Sequence, residues 1–157
     1  MENHLNVLSE SLDDKIKVLQ EIQEYNNRQE QAFRTEQVNM EEFDAAVEEK
    51  GRLIEKLTRL DDGFEILYEH LSEELRQNRE KYAQQIKELQ EKISKVTALS
   101  VSIQAQEARN KKLVEEYFRK ARAGLGQNRR SSKAAYDYYK SMSGAGARDS
   151  NLWDTKQ

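Results

Sequence analysis

The chain has 157 residues with a formal net charge of −3, and 35% of its residues are charged against 36% hydrophobic. An ordinary globular domain carries only roughly 25% charged residues. The length suits one domain, and the absence of cysteine excludes disulfides, thiolate nucleophiles and Cys-type zinc sites. No apolar run is longer than three residues, and the start Met1-Glu2-Asn3-His4 lacks the basic and then apolar build of a secretory signal. A soluble, cytoplasmic chain with no membrane insertion is the expectation.

From residue 5 onward, apolar positions fall three and four apart. The first series is Leu5, Leu8, Leu12, Lys15, Leu19, Ile22, Asn26, Gln29 and Phe33. The second runs Phe43, Val47, Lys50, Ile54, Leu57, Asp61, Phe64, Tyr68, Leu71 and Leu75. The third runs Tyr82, Ile86, Leu89, Ile93, Val96, Ser100, Ile103, Glu107, Asn110, Val114, Tyr117 and Ala121. Steps of three and four in alternation make the seam of a coiled coil or helical bundle, and no stretch alternates with period two long enough for a strand. The fold class is all-α.

Asn39 followed by Glu42 has the form of a capping box, which places a helix start at residue 40. The seam phase slips between Leu75 and Tyr82, so a turn near 76–79 with Asn78 as a cap would absorb it. Gly63 lies where the seam continues, and one interior glycine costs only about 1 kcal/mol, so it stays inside a helix. Helices are therefore expected near 3–36, 40–76 and 79–123. The first two would each be roughly 50–55 Å long at a rise of about 1.5 Å per residue. Matched lengths and a short turn favour an elongated antiparallel hairpin on which the third helix packs, giving a three-helix bundle over 1–125. The rival geometry is one continuous helix through residue 75 that dimerises along its seam.

Leu, Ile, Val and Phe number 33, and only Leu152 of them lies beyond residue 125. Residues 126–157, with glycines and a serine cluster, read as a flexible or partner-ordered tail. It nevertheless holds Tyr136, Tyr138, Tyr139 and Trp153. Disordered segments are usually poor in aromatics, so the tail either packs on its own helices or orders against another chain.

Little in the sequence suggests chemistry. His4 lies at a helix end and His70 follows Glu69 on a charged face, with no second histidine at ligand spacing. The pairs Glu41-Glu42, Glu48-Glu49 and Glu73-Glu74 are sequence neighbours and point to different helix faces. No glycine-rich loop opens a helix after a strand. No enzyme activity, metal or other cofactor is expected.

Charge is segregated. Residues 1–108 sum to −10 and residues 109–133 to +7. The basic stretch either docks on the chain's own acidic helices and aids solubility, or meets an acidic partner. Nucleic acid is disfavoured, because no recognised binding fold is present and Tyr117 and Phe118 lie on the seam side. Lys50, Asp61, Glu107 and Asn110 interrupt the apolar stripe, which marks bundle ends, fixes register, or leaves the third helix incompletely covered. In the last case Leu113, Val114, Tyr117, Phe118 and Ala121 overhang the hairpin and await a partner helix.

The stretch Glu48-Glu49-Lys50-Gly51-Arg52-Leu53-Ile54-Glu55-Lys56-Leu57-Thr58-Arg59-Leu60-Asp61 resembles the signature of FlgN-type flagellar export chaperones: a lysine, a Leu-Ile pair, leucines on one helix face and an acidic residue. The sequel Asp62-Gly63-Phe64-Glu65 with Tyr68 is similar to FlgN-like proteins of Gram-positive bacteria. So are the Ile86, Leu89-Gln90, Ile93 ladder, the tail pair Tyr138-Tyr139, and the ending Leu152, Asp154, Lys156. Gln157 stands where the family ends on a lysine pair.

The resemblance implies a small cytoplasmic helical chaperone without nucleotide or metal. It would bind C-terminal segments of hook-associated (hook–filament junction) proteins, prevent their premature assembly, and deliver them to the type III export apparatus. The family's client-binding region is its C-terminal part. Carried over, this selects Leu113, Val114, Tyr117, Phe118 and Ala121, with Tyr136, Tyr139 and Trp153 of the tail. A monomer or small homo-oligomer is implied. The alternative from another class is a homo-oligomeric coiled-coil scaffold that has no client.

Overall fold

A computed structural model describes residues 2–35 and 38–124. They form three helices: α1 over Glu2–Phe33, α2 over Met40–Gln77 and α3 over Ala83–Gly124. Among the described residues there is no strand. The expected tail, 126–157, lies outside them.

The helix ends follow from local chemistry. Asn39 has extended backbone (φ −85°, ψ 104°), and its side-chain carbonyl accepts from the backbone N–H groups of Glu41 and Glu42 at 3.0 and 3.2 Å. That satisfies two of the orphan donors at a helix start, and Glu41 and Glu42 complement the positive end of the helix dipole. The chain therefore breaks before residue 40, which removes the single continuous helix through residue 75. Asn39→Ala is expected to lower stability by about 1 kcal/mol in a chemical melt, and Asn39→Asp to leave it nearly unchanged.

α1 stops at Phe33, short of the expected 36. Arg34 N–H bonds back to the carbonyls of Glu30 and Gln31, and the Thr35 hydroxyl donates to the Ala32 carbonyl at 2.7 Å, which tightens and closes the last turn. Asn78 caps the far end of α2: its backbone N–H and its side-chain amide both donate to the Glu74 carbonyl. Residues 78–82 form the turn that absorbs the phase slip, with Tyr82 N–H bonded to the Asn78 carbonyl, so α3 begins at Ala83 rather than near 79. Gly63 sits inside an unbroken α2 with nothing within 4 Å of where a Cβ would lie.

Side-chain partners fix the topology. Lys15 pairs with Asp61, Lys50 with Asn26 and Gln29, and Phe33 with Phe43, so α1 and α2 are antiparallel. Lys92 meets Ser9, Gln23 meets Ser102, and Asn110 reaches the Asn26 carbonyl, which sets α3 parallel to α1 at separations of 79 to 84 residues. α1 packs against both other helices, whose backbones do not approach each other. The core is the predicted seam. Leu5, Leu8, Leu12, Leu19 and Ile22 of α1 close against Phe43, Ile54, Leu57, Phe64 and Leu71 of α2 and Leu89, Val96 and Ile103 of α3, all buried. Burying such side chains is worth about 1.5–3 kcal/mol each before conformational entropy is subtracted.

Candidate functional site: the closed end of the bundle

The α1–α2 turn and the last turns of α3 meet at one end of the molecule. Phe33, the final residue of α1, lies edge-to-face on Phe43 with ring centroids 5.1 Å apart, and on Tyr117 at 5.5 Å. Tyr117 in turn meets Phe118 at 5.5 Å and an interplanar angle of 72°. Such edge contacts each add about 0.5–1.5 kcal/mol beyond area burial. They exist because α1 and α3 are parallel and in step, so the end of α1 lands opposite Tyr117.

That registry corrects the expectation of an uncovered stripe. Val114 is 3% exposed and Phe118 5%, both part of the core, while Leu113, Tyr117 and Ala121 are partly buried. The hairpin reaches as far as Tyr117, and α3 continues for only seven residues beyond it, to Gly124. Three of the basic side chains on this part of α3 lie near carboxylates of their own helix: Lys111 by Glu115, and Arg119 and Lys120 by Glu116, at 3.6–3.9 Å. Tyr136, Tyr139 and Trp153 lie outside the described residues.

Below the aromatic end is a buried polar network. The Lys50 side chain is 0% exposed, and its ammonium donates to Asn26 Oδ1 at 2.6 Å and Gln29 Oε1 at 2.8 Å and faces Glu107 Oε1 at 3.1 Å. Asn26 Nδ2 donates to Gln106 Oε1, Gln106 Nε2 donates to Asn27 Oδ1, and Asn110 Nδ2 to the Asn26 carbonyl. All three helices contribute. Burial pushes the Lys50 pKa down from 10.5 to about 8, and the attraction and hydrogen bond of Glu107 oppose that shift. Further along, Lys15 and Asp61 form a second buried pair at 2.5 Å. The polar seam positions therefore do not mark bundle ends. They pair with one another inside the bundle and specify which helix faces which.

Reading the seam from sequence singles out Lys50, Asp61, Glu107 and Asn110 but leaves Lys15, Asn26 and Gln29 as unremarked members of the first series. A usable signal was present. In an antiparallel hairpin facing positions have a constant sum, and Lys15 with Asp61 has the same sum as Asn26 with Lys50. Among the described residues no group of three or more His, Asp or Glu side chains is placed to hold a metal ion, and no helix is long and apolar enough to cross a membrane.

The described residues thus make a long, thin all-α bundle of three helices, locked by internal polar pairs and ending in an aromatic cluster. A family model described as FlgN protein matches residues 1–140, nearly the whole sequence. The chain belongs to the FlgN family, a family of flagellar chaperones rather than of enzymes. The match takes in Tyr136 and Tyr139 and stops short of Trp153. No curated protein and no solved structure matches the chain.

Proposed function

We propose that the protein is a cytoplasmic flagellar type III export chaperone that holds C-terminal helical segments of hook-associated proteins, keeps them from assembling early, and hands them to the export apparatus. Family membership over residues 1–140 supports this reading most strongly. The client site would be the closed end: Leu113, Val114, Tyr117, Phe118 and Ala121 of α3, with Tyr136, Tyr139 and Trp153 folding over the client. Val114 and Phe118 are covered at rest, so binding proceeds by helix exchange. The client's amphipathic helix takes the place of the last turn of α1 and the first turn of α2, where Phe33 and Phe43 now lie. Helix ends are where local opening costs least, which makes this cover the displaceable one. Apolar burial drives the exchange at about 25 cal/mol per Å², less the cost of ordering the client.

The scaffold reading stands second. It needs the seams to be satisfied by further copies, whereas the seams of α1, α2 and α3 already close on one another within one chain. Calorimetric titration with C-terminal peptides of hook-associated proteins from the same organism separates the two, run alongside light scattering. The chaperone reading expects a monomer or small oligomer that binds one client per chain at micromolar affinity or tighter, weakened by Tyr117→Asp. A stable large oligomer indifferent to every such peptide would favour the scaffold.

A further inference from the structure

The end of α3 carries more charge than its own helix neutralises. Over residues 109–122, Arg109, Lys111, Lys112, Arg119, Lys120 and Arg122 stand against Glu115 and Glu116 alone. The ion pairs they form run along the helix at 3.6–3.9 Å, between side chains more than half exposed. Pairs of that kind hold their members weakly, so the cations are available to another chain. Arg109, Lys112 and Arg122 have no carboxylate at ion-pair distance among the described residues. By helical spacing, Lys111 and Lys120 flank the line Val114, Tyr117, Ala121 on opposite sides. Those are the flanking positions from which charges select a partner helix.

The segments that cover this line at rest are matched to it in charge. The start of α2 sets Phe43 among Glu41, Glu42, Asp44, Glu48 and Glu49, with no basic residue before Lys50. Arg52 engages Glu49 at 2.6 Å, which leaves four acidic residues around Phe43. The last turns of α1 bring Phe33 together with Arg28 and Arg34, each paired to a glutamate of its own helix, and are neutral. The cover as a whole is therefore acidic, and each of its two segments puts a phenylalanine ring into the cluster. A helix that displaces it has two things to restore. Tyr117 loses the ring edge that Phe33 gives it at 5.5 Å, and the cations of α3 lose the acidic segment beside them.

We infer, on the footing of the chaperone reading, that the partner taken up at the closed end is an acidic amphipathic helix. An aromatic side chain on its apolar face replaces Phe33 against Tyr117, and its carboxylates pair with Lys111 and Lys120. The test is calorimetric titration of the full-length protein with C-terminal peptides of hook-associated proteins from the same organism. Peptides that bind are expected to carry an aromatic residue and net negative charge in the bound segment. Changing that aromatic residue to leucine, or raising salt from about 50 to 500 mM, should each weaken binding about tenfold. Lys111→Glu with Lys120→Glu, both exposed, should weaken it about tenfold or more while helicity stays constant. Lys87→Glu with Lys95→Glu, exposed elsewhere on α3 and equal in charge change, should leave it nearly unchanged. Equal loss in the two double variants, affinity indifferent to salt, or tight binding by a peptide without an aromatic residue would overturn the inference and leave the chaperone reading standing. Binding by none of the peptides would overturn both.

Discussion

Lys50→Met is expected to destabilise the protein by about 3–5 kcal/mol, although it replaces a charge in the core by an apolar side chain of similar length. The substitution removes the ammonium that faces Glu107 at 3.1 Å and takes the donor away from Asn26 and Gln29. A buried carboxylate then has to be held without that cation, and this costs more than burying the pair together. The double variant Lys50→Met with Glu107→Met should recover the larger part of the loss, since a buried ion pair replaced as a unit is often neutral or better. Urea melts of the four proteins in the cycle measure this directly. A single variant as stable as the parent would mean that the network contributes nothing to the fold.

The same side chain predicts a pH window. The Lys50 pKa is held at about 8 in the folded protein against 10.5 otherwise. Between those values the unfolded chain binds the additional proton, so this group makes stability rise with pH. Below about pH 8 both states are protonated and the cost of burying the ammonium stands in full. The stability of the parent minus that of Lys50→Met should therefore climb across pH 8 to 10.5, by up to about 3 kcal/mol. A difference that is flat or falling over that range would contradict a buried, charged Lys50.

The second large effect lies at the closed end. Val114→Asp puts a carboxylate at a position 3% exposed, and Val114 belongs to the main core cluster. It should cost about 4 kcal/mol or more and lower helicity as well as any partner binding. Tyr117→Asp differs, because Tyr117 is half-buried at the rim and loses mainly its edge contacts with Phe33 and Phe118, about 1–3 kcal/mol in all. That protein should remain folded with weakened client binding. Circular dichroism melts beside client titration distinguish the two. A fully helical, stable Val114→Asp protein would place this stripe outside the core.

Much of this fold is legible in one sequence because a helix seam is a local property. Steps of three and four place Leu5, Leu8 and Leu12 on one face whatever that face meets, and the same arithmetic covers Phe43 to Leu75 and Tyr82 to Ala121. Asn39 announces a helix start for an equally local reason: its side chain satisfies donors two and three residues away. The end of α1 at Phe33 was not legible. Residues 34–36 continue the phase, and the last turn is closed by backbone and hydroxyl bonds to Glu30, Gln31 and Ala32 that carry no distinct sequence pattern.

The candidate site shows the same division. That Val114, Tyr117 and Phe118 share a helix face follows from spacing alone. Whether they are covered depends on where the end of α1 falls beside α3. That is set by summed contacts along two parallel helices, among them Lys92 with Ser9, Gln23 with Ser102 and Asn110 with Asn26, each about eighty residues apart in the chain. Local periodicity contains no term for that offset. Lys50 makes the point most sharply: its spacing put it on the seam and its charge made it look like a break, yet its partners lie on two other helices. A charge is tolerated in a core only when opposite charge and hydrogen-bonding groups arrive from elsewhere, and only the packed bundle brings Asn26, Gln29 and Glu107 to one ammonium.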